Sequence, residues 1–511
     1  MSRNPFTNVT LGEGASFSPV EDRSLLYIGQ KTASGSAVSG SYNEITSKSE
    51  INALFGIDSH ISKILRGVFN TLSISTIIPK ISIIPLDDAG GGVAASGSIA
   101  ITGPALLDGS LDFYIDSELN KYSLPIIKDE TATQIGDKLV ALVALDLEAN
   151  FSLVNVSGTI AVTSKNKGTV GNSIGISYKG AVSGVGVAIT AMSSGATDPV
   201  LTALLDVIDG TRKTSIVMPS SYDLTLVEAE LETRFNFSNN VLDGVLFVGK
   251  EDSYTNIKAL ADSKDDKNLV IIGNKIISSA FKKGGAVLEN IDVLTAKIAT
   301  LSELLLTKDS NISSIVSNSA KKGASYFAGI PLFNTIIAGY SAIKVDEKFT
   351  LDQISELKKS QVTLINNNKN SNLLLLNTVF TTYKTNSKGE ADLTYKFLNR
   401  RLTLSLVREF MDSSIISDFP QHTLIPSGAS STNQFQVGEA EYMTKMLSYY
   451  DTLAQLPYSL LVNSDVARVA FKAIIKKSLV INTVKGKISN EVSSYIVSQL
   501  REIDIFINPK I

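Results

Sequence analysis

Two histidines, His60 and His422, and no cysteines stand in the 511 residues, so the chemistry open to this chain is narrow from the start. Thiolate catalysis, disulfides and Cys-ligated zinc are excluded. A Ser/His/Asp site would have to use one of the two histidines, and a centre with three His ligands is impossible. His60 follows Gly56-Ile57-Asp58-Ser59 at an expected helix start, and His422 lies in Phe419-Pro420-Gln421-His422, which reads as an exposed turn. Neither has a nucleophile in a pattern such as G-x-S-x-G. Asp262, Asp265 and Asp266 could bind a cation, but they lack the spacing of an EF-hand and read as a solvated turn. Gly184-Val185-Gly186 and Gly284-Gly285 lack the Lys-Ser/Thr of a phosphate loop and read as turn glycines with positive φ. Scattered carboxylates leave a glycosidase open, because that chemistry needs only two at the right separation. No catalytic, cofactor-binding or metal-ligating residue is assigned, and no cofactor is expected.

Lys plus Arg total 47 against 50 for Asp plus Glu, with a formal charge of -3. Phosphate binding rests on clustered cations. Here the nearest candidates, Lys282-Lys283, Lys321-Lys322 and Lys476-Lys477, are isolated pairs, so direct nucleic-acid binding is not expected. Charged residues make up 19% and hydrophobic ones 43%, an ordinary globular balance whose low charge suits a subunit buried among copies. Met1-Ser2-Arg3-Asn4-Pro5 has no apolar core of signal-peptide type, and no apolar run reaches membrane-spanning length, so a soluble compartment is expected.

The elements that would position any site fall into five stretches. Residues 1–20, rich in Asn, Ser, Thr and Gly, read as an extended arm. Residues 21–92 carry a strand at Ser24-Leu25-Leu26-Tyr27-Ile28-Gly29, two helices, and an Ile-rich strand ending near Ile84. Beyond the turn-rich Pro85 to Gly92, residues 93–199 are Gly-, Ser- and Thr-rich with short alternating strands, and Ile135, Leu139 and Val143 mark one helix by their spacing of four. A compact β-rich sandwich inserted into the chain is the simplest reading. Residues 200–350 alternate apolar strands with amphipathic helices, which describes a parallel α/β sheet. Residues 351–511 begin with a helix and a hairpin at Val362–Asn366 and Leu373–Thr382. They end in a strand, at about 497–508, whose Ile503, Ile505 and Ile507 share one face.

Three motif stretches in order, Ile83 to Gly97, Thr163 to Asn172 and Thr190 to Pro199, are joined by Thr381 to Tyr395 and Phe419-Pro420-Gln421-His422-Thr423-Leu424. Together they resemble the Mu-type contractile tail sheath family of bacteriophages and phage-tail-like particles. The stretch from Ser278 to Ser325 departs from the pattern, and the segment after Pro457 matches only in its helix-then-strand shape.

The resemblance implies a multidomain α+β fold: a sheath core built from both chain ends, the β-rich insertion facing outward, and a subtilisin-like α/β middle domain. It implies a virion-tail subunit, assembled in the host cytoplasm, that stacks in sixfold rings around an inner tube and contracts to drive that tube through a cell envelope. Its partners would be further copies of itself, the tube protein, and baseplate and tail terminator proteins, with no membrane insertion and no enzymatic activity. Shared strands between subunits would then use the chain ends. Geometry there singles out Phe6, Val9 and Leu11 in the arm, and Ile503, Ile505, Phe506 and Ile507 in the last strand. Two rival readings are a carbohydrate- or peptidoglycan-cleaving virion enzyme, which requires facing carboxylates in a cleft, and an adhesin-like module centred on 93–199.

Overall fold

The computed structural model describes residues 24–73, 80–117, 120–201, 208, 211–236, 242–275, 290–304, 336–337, 349–367, 374–376, 378–455, 460–484 and 487–489. The first strand, β1 (Ser24–Gln30), is buried along its whole length. Leu25 and Tyr27 join one hydrophobic cluster, while Leu26 and Ile28 join a second. Alternate side chains of a strand face opposite sides, so a strand apolar on both must lie inside a covered sheet. After it come β2 (Asn43–Ile45), α1 (Lys48–Phe55), α2 (His60–Leu72) and β3 (Lys80–Leu86), with β3 parallel to β1. The turn between the helices depends on Gly56, whose φ is +83° and where an added Cβ would stand 2.1 Å from Thr32 Oγ1. Ser59 then caps α2, its hydroxyl accepting from the Ser62 amide at 3.1 Å.

Residues 94–193 supply β4 (Ala94–Thr102), β5 (Gly109–Ile115), β6 (Lys121–Ile126), α3 (Ala132–Val143), β7 (Phe151–Val156), β8 (Thr159–Lys167), β9 (Ile176–Lys179) and β10 (Gly186–Ser193). They form two antiparallel sheets, in the orders β10-β4-β8-β7 and β6-β5-β9. Both sheets and α3 share a third hydrophobic cluster, separate from the first two. A capping box between Thr131 and Gln134 starts α3, and Ile135, Leu139 and Val143 are its buried stripe.

The chain then returns to the first sheet through β11 (Ser215–Val217), α4 (Thr225–Asn236), β12 (Val245–Asp252), α5 (Tyr254–Asp262) and β13 (Leu269–Lys275). Next come α6 (Ile291–Leu304), β14 (Ile336–Ile337), α7 (Leu351–Lys359), β15 (Thr363–Asn367) and β16 (Leu374–Leu376). The resulting nine-stranded sheet runs β14-β16-β15-β13-β12-β11-β1-β3-β2, parallel from β15 to β3 with antiparallel strands at its edges. From sequence, 21–92 and 200–350 read as separate units. In the fold both supply strands to one sheet, with β1 lying between β11 and β3. The physical cause is that β1, apolar on both faces, needs a hydrogen-bonded neighbour along each edge as well as cover above and below.

Helices α4, α5 and α7 cover one face of this sheet, while α1, α2 and α6 belong to the cluster on the other. Every residue of α6 is buried, and polar groups there find partners: the Tyr27 phenol lies 2.8 Å from Thr300 Oγ1, and Ser215 donates to Glu303. The C-terminal stretch adds α8 (Leu398–Asp418), β17 (Thr423–Leu424), β18 (Gln436–Val437), α9 (Glu439–Ala454), α10 (Asp465–Ser478), β19 (Val480–Asn482) and β20 (Lys487–Ser489). Its three helices extend the first cluster, so the C-terminal stretch packs on the face of the sheet that begins at β1.

Candidate functional site

The residues that could do chemistry are used structurally. His60, the first residue of α2, is buried; its Nε2 lies 3.1 Å from Asp292 Oδ2, and its amide donates to Asn166 Oδ1 at 2.8 Å. His422 is not in an exposed turn. It is half-buried, 5.4 Å from the Phe419 ring and 6.2 Å from Phe435, because aromatic faces bury the imidazole beside Pro420. The aspartate cluster is solvated in part, as expected: Asp262 and Asp265 are exposed and Asp266 is half-buried, but the segment also bonds a distant loop. Asp265 accepts from the Lys384 amide at 2.6 Å and from the Thr385 amide and hydroxyl, while Thr382 Oγ1 accepts from the Asp266 amide at 3.0 Å. Burial pushes the Asp266 carboxyl up to about 6. The Asp265 carboxylate, an anionic acceptor for two backbone N–H groups, and the Asp266 backbone, bonded to Thr382 Oγ1, pin the Thr381 to Tyr395 loop to the end of α5. Gly184 has the positive φ expected of a turn glycine, whereas Gly186 opens β10, and Gly284-Gly285 lies outside the described residues. Among the described residues no group of three or more His, Asp or Glu side chains is placed to hold a metal ion. Nor is any helix there long and apolar enough to cross a membrane.

The site that the fold does build is a polar joint between the 94–193 module and the nine-stranded sheet. Asn166, at the end of β8, donates to Lys31 O at 2.9 Å and to Asp88 Oδ1 at 3.1 Å. Asp88 also accepts from Gln30 Nε2 at 2.7 Å and from the Lys167 amide at 3.1 Å. Gln30 reaches onward to Lys167 O at 2.8 Å and accepts from the Tyr222 hydroxyl at 3.1 Å. Ion pairs flank this seam: Lys165 with Asp58 at 2.9 Å, Arg66 with Glu148 at 3.2 Å, and Lys63 with Asp116. Desolvation makes such groups costly unless all are paired, so the seam holds one relative placement of module and sheet and penalises others.

Three motif stretches meet here. Val93 and Ala196 exchange backbone hydrogen bonds, and Asn172 and Gly195 bond each other through amide and carbonyl at 2.9 and 3.1 Å. Asp198 accepts from the Thr169 amide and hydroxyl, both at 2.7 Å. A Cβ at Gly195 would meet Gly168 O at 2.3 Å, so this approach of the chain requires glycine. Asn166 and Asp88 were not singled out from sequence; the signal that could have found them is that each lies inside a motif stretch. The assembly residues expected at the chain ends, Phe6, Val9, Leu11, Ile503, Ile505, Phe506 and Ile507, lie outside the described residues.

A curated protein, the Mu-like prophage FluMu tail sheath protein of Haemophilus influenzae, is 24% identical over 418 residues, covering 80% of this chain and 78% of that protein. The chain resembles Mu-like tail sheath proteins, as its motifs implied. No protein-family model matches it. Among solved structures, it is similar to a sheath tail protein from Desulfitobacterium hafniense, with a TM-score of 0.42, 13% identity, and coverage of 90% of this chain and 91% of that one. For a chain of the anti-feeding prophage baseplate the TM-score is 0.48, the identity 12%, and the coverage 99% of each. The sheath resemblance rests on the sequence relative and the motifs rather than on these structures.

Proposed function

We propose that the chain is the structural subunit of a contractile tail sheath, one copy among many in stacked sixfold rings around an inner tube. The observation that carries this reading is the alignment of 80% of the chain with a protein named as a tail sheath. In this reading residues 1–20 are an arm, 93–199 is an outward-facing sandwich, and the sheath core is the sheet shared by 21–92, 200–350 and the start of 351–511 together with the C-terminal helices. Its work is mechanical rather than enzymatic. Contraction would be a switch between two lattice packings whose interfaces differ by a few kcal/mol each, as in other bistable assemblies, summed over many subunits to drive the tube through an envelope. The tube protein, the baseplate and a tail terminator would be its partners in the virion tail, and assembly would take place in the host cytoplasm.

The hairpin of β19 and β20 supports strand sharing as the link between subunits. Among the described residues it is a sheet of only two strands, with Val480 60% and Val484 97% exposed. A lone hairpin is marginal in water and gains from a third strand. The segment with Ile503, Ile505, Phe506 and Ile507, or an arm carrying Phe6, Val9 and Leu11, supplies one of the right character. Main-chain bonds of this kind survive rotation of the subunits they join. Sedimentation velocity provides the test. Full-length chain is expected to form species many times its 54.6 kDa mass, and chain lacking residues 498–511 to stay monomeric with an unchanged circular dichroism spectrum. Equal polymerisation by both would remove that segment from the mechanism.

A further inference from the structure

A cavity of about 370 Å³ lies in the joint, below the seam already described. Val170, Ser173 and Gly175 of the module form one wall; Ser220, Glu251 and Asp292 of the sheet domain form the other. Glu251 stands at the carboxyl end of β12, the end of a parallel sheet where polar side chains converge. Its Oε1 accepts from Asn274 Nδ2 on β13 at 3.4 Å.

The charges around Glu251 come from every element packed there. On its own strand Lys250 is engaged by Asp252 at 3.1 Å. From β13 come Asn274 and Lys275, the latter in register with Asp252. Asp292 enters from the first turn of α6, with His60 of α2 beside it. The module contributes Asp116, 1% exposed, at the end of β5; its amide donates to Gly175 O at 2.7 Å and its carboxylate pairs with Lys63 of α2. Two further carboxylates, one from each side of the joint, therefore weigh on Glu251.

We infer that the joint is a proton-operated latch, closed while Glu251 carries a proton and loosened when that carboxyl ionises against Asp292 and Asp116. Desolvation of Glu251, half-buried where the module meets the sheet, with those two charges pushes its carboxyl up to about 8 in the docked arrangement. Once the module lifts and water enters, the carboxyl returns to the ordinary Glu range near ~4.3. A group whose docked value is raised binds its proton more tightly when docked, so docking weakens as pH climbs from about 4.3 to about 8 and then levels off. Within that window the opening equilibrium rises by up to about tenfold per pH unit. In a sheath this would set how firmly each module is held, but the inference rests on the joint alone and stands apart from the sheath reading.

Hydrogen exchange on the full-length protein between pH 6 and pH 9, with rates divided by the intrinsic exchange rate at each pH, tests it. In the wild-type chain, protection of the amides that bond across the joint, those of His60 to Asn166 and of Lys167 to Asp88, is expected to fall up to about pH 8 and then flatten, while that of the β1 and β12 amides holds. Glu251→Gln should leave joint protection flat across the range. Asp292→Asn, which removes one of the opposing charges, should move the plateau to lower pH. A wild-type profile without pH dependence, or a Glu251→Gln profile that follows the wild type, overturns the latch. Should Glu251→Gln not fold, the Asp292→Asn profile decides, and no movement of its plateau overturns the proposal.

Discussion

Replacing Arg401 by alanine is expected to lower the free energy of unfolding by about 3–5 kcal/mol in urea titrations, the cost of stranding a buried charge. Arg401 of α8 is 1% exposed and is the largest fully buried side chain among the described residues. Its guanidinium donates to Asp243 Oδ2 at 3.0 Å, to Asn268 Oδ1 at 2.9 Å and to Ser405 Oγ, and lies 4.6 Å from the centre of the Phe235 ring. Asp243 precedes β12 and Asn268 precedes β13, so one side chain ties the C-terminal helices to the amino ends of two central strands. Lysine would be a poor replacement, since it cannot present the planar fork that grips both partners. The double variant Arg401→Ala/Asp243→Ala should lose less than the sum of the single changes, because each single change leaves an unpaired partner.

The same network fixes the acid limb of stability. Burial alone would raise the Asp243 carboxyl, but Arg401 and Arg212 outweigh it and hold it at about 2. A carboxyl depressed in the folded state stabilises above its unfolded value, near ~3.9, and loses that contribution as pH falls toward the folded value. From this group the wild-type chain should lose about 2 kcal/mol between about pH 4 and pH 2. In Arg401→Ala that part of the drop should shrink.

The second large effect is expected at the module joint. Asn166→Ala removes the side-chain partner of the His60 amide and of Lys31 O, and one of the two donors to Asp88 Oδ1. Unsatisfied buried groups cost about 1–3 kcal/mol each, partly recovered where water enters, so a loss of about 2–4 kcal/mol is expected. It should appear as release of the module rather than global unfolding, since that module has its own hydrophobic cluster. Limited proteolysis provides the readout: faster cleavage in the connections at 87–93 and 197–201, with the fragments themselves resistant. Cleavage at the wild-type rate would show that the seam does not hold the module.

β11, β12, β13, α4 and α5 follow from apolar runs alternating with amphipathic stretches, and α3 from the spacing of Ile135, Leu139 and Val143. β6 escaped because Pro125 argues against a strand; it is tolerated there since β6 is the edge of its sheet. β7, a short edge strand, was likewise not read. The pairing of β1 with β11 joins residues about 190 positions apart and leaves no local trace. The same holds for the joint: Asn166 and Asp88 are ordinary polar residues until the chain brings them within hydrogen-bond reach. His422 was misread because the Phe435 ring beside it comes from beyond the next turn.

Negative-stain electron microscopy of the purified full-length chain at high concentration tests the central claim most directly. The sheath reading predicts tubes or rings with sixfold end views and a central lumen wide enough for an inner tube. Monomers of a single compact shape at every concentration, with and without a tube protein, would contradict it.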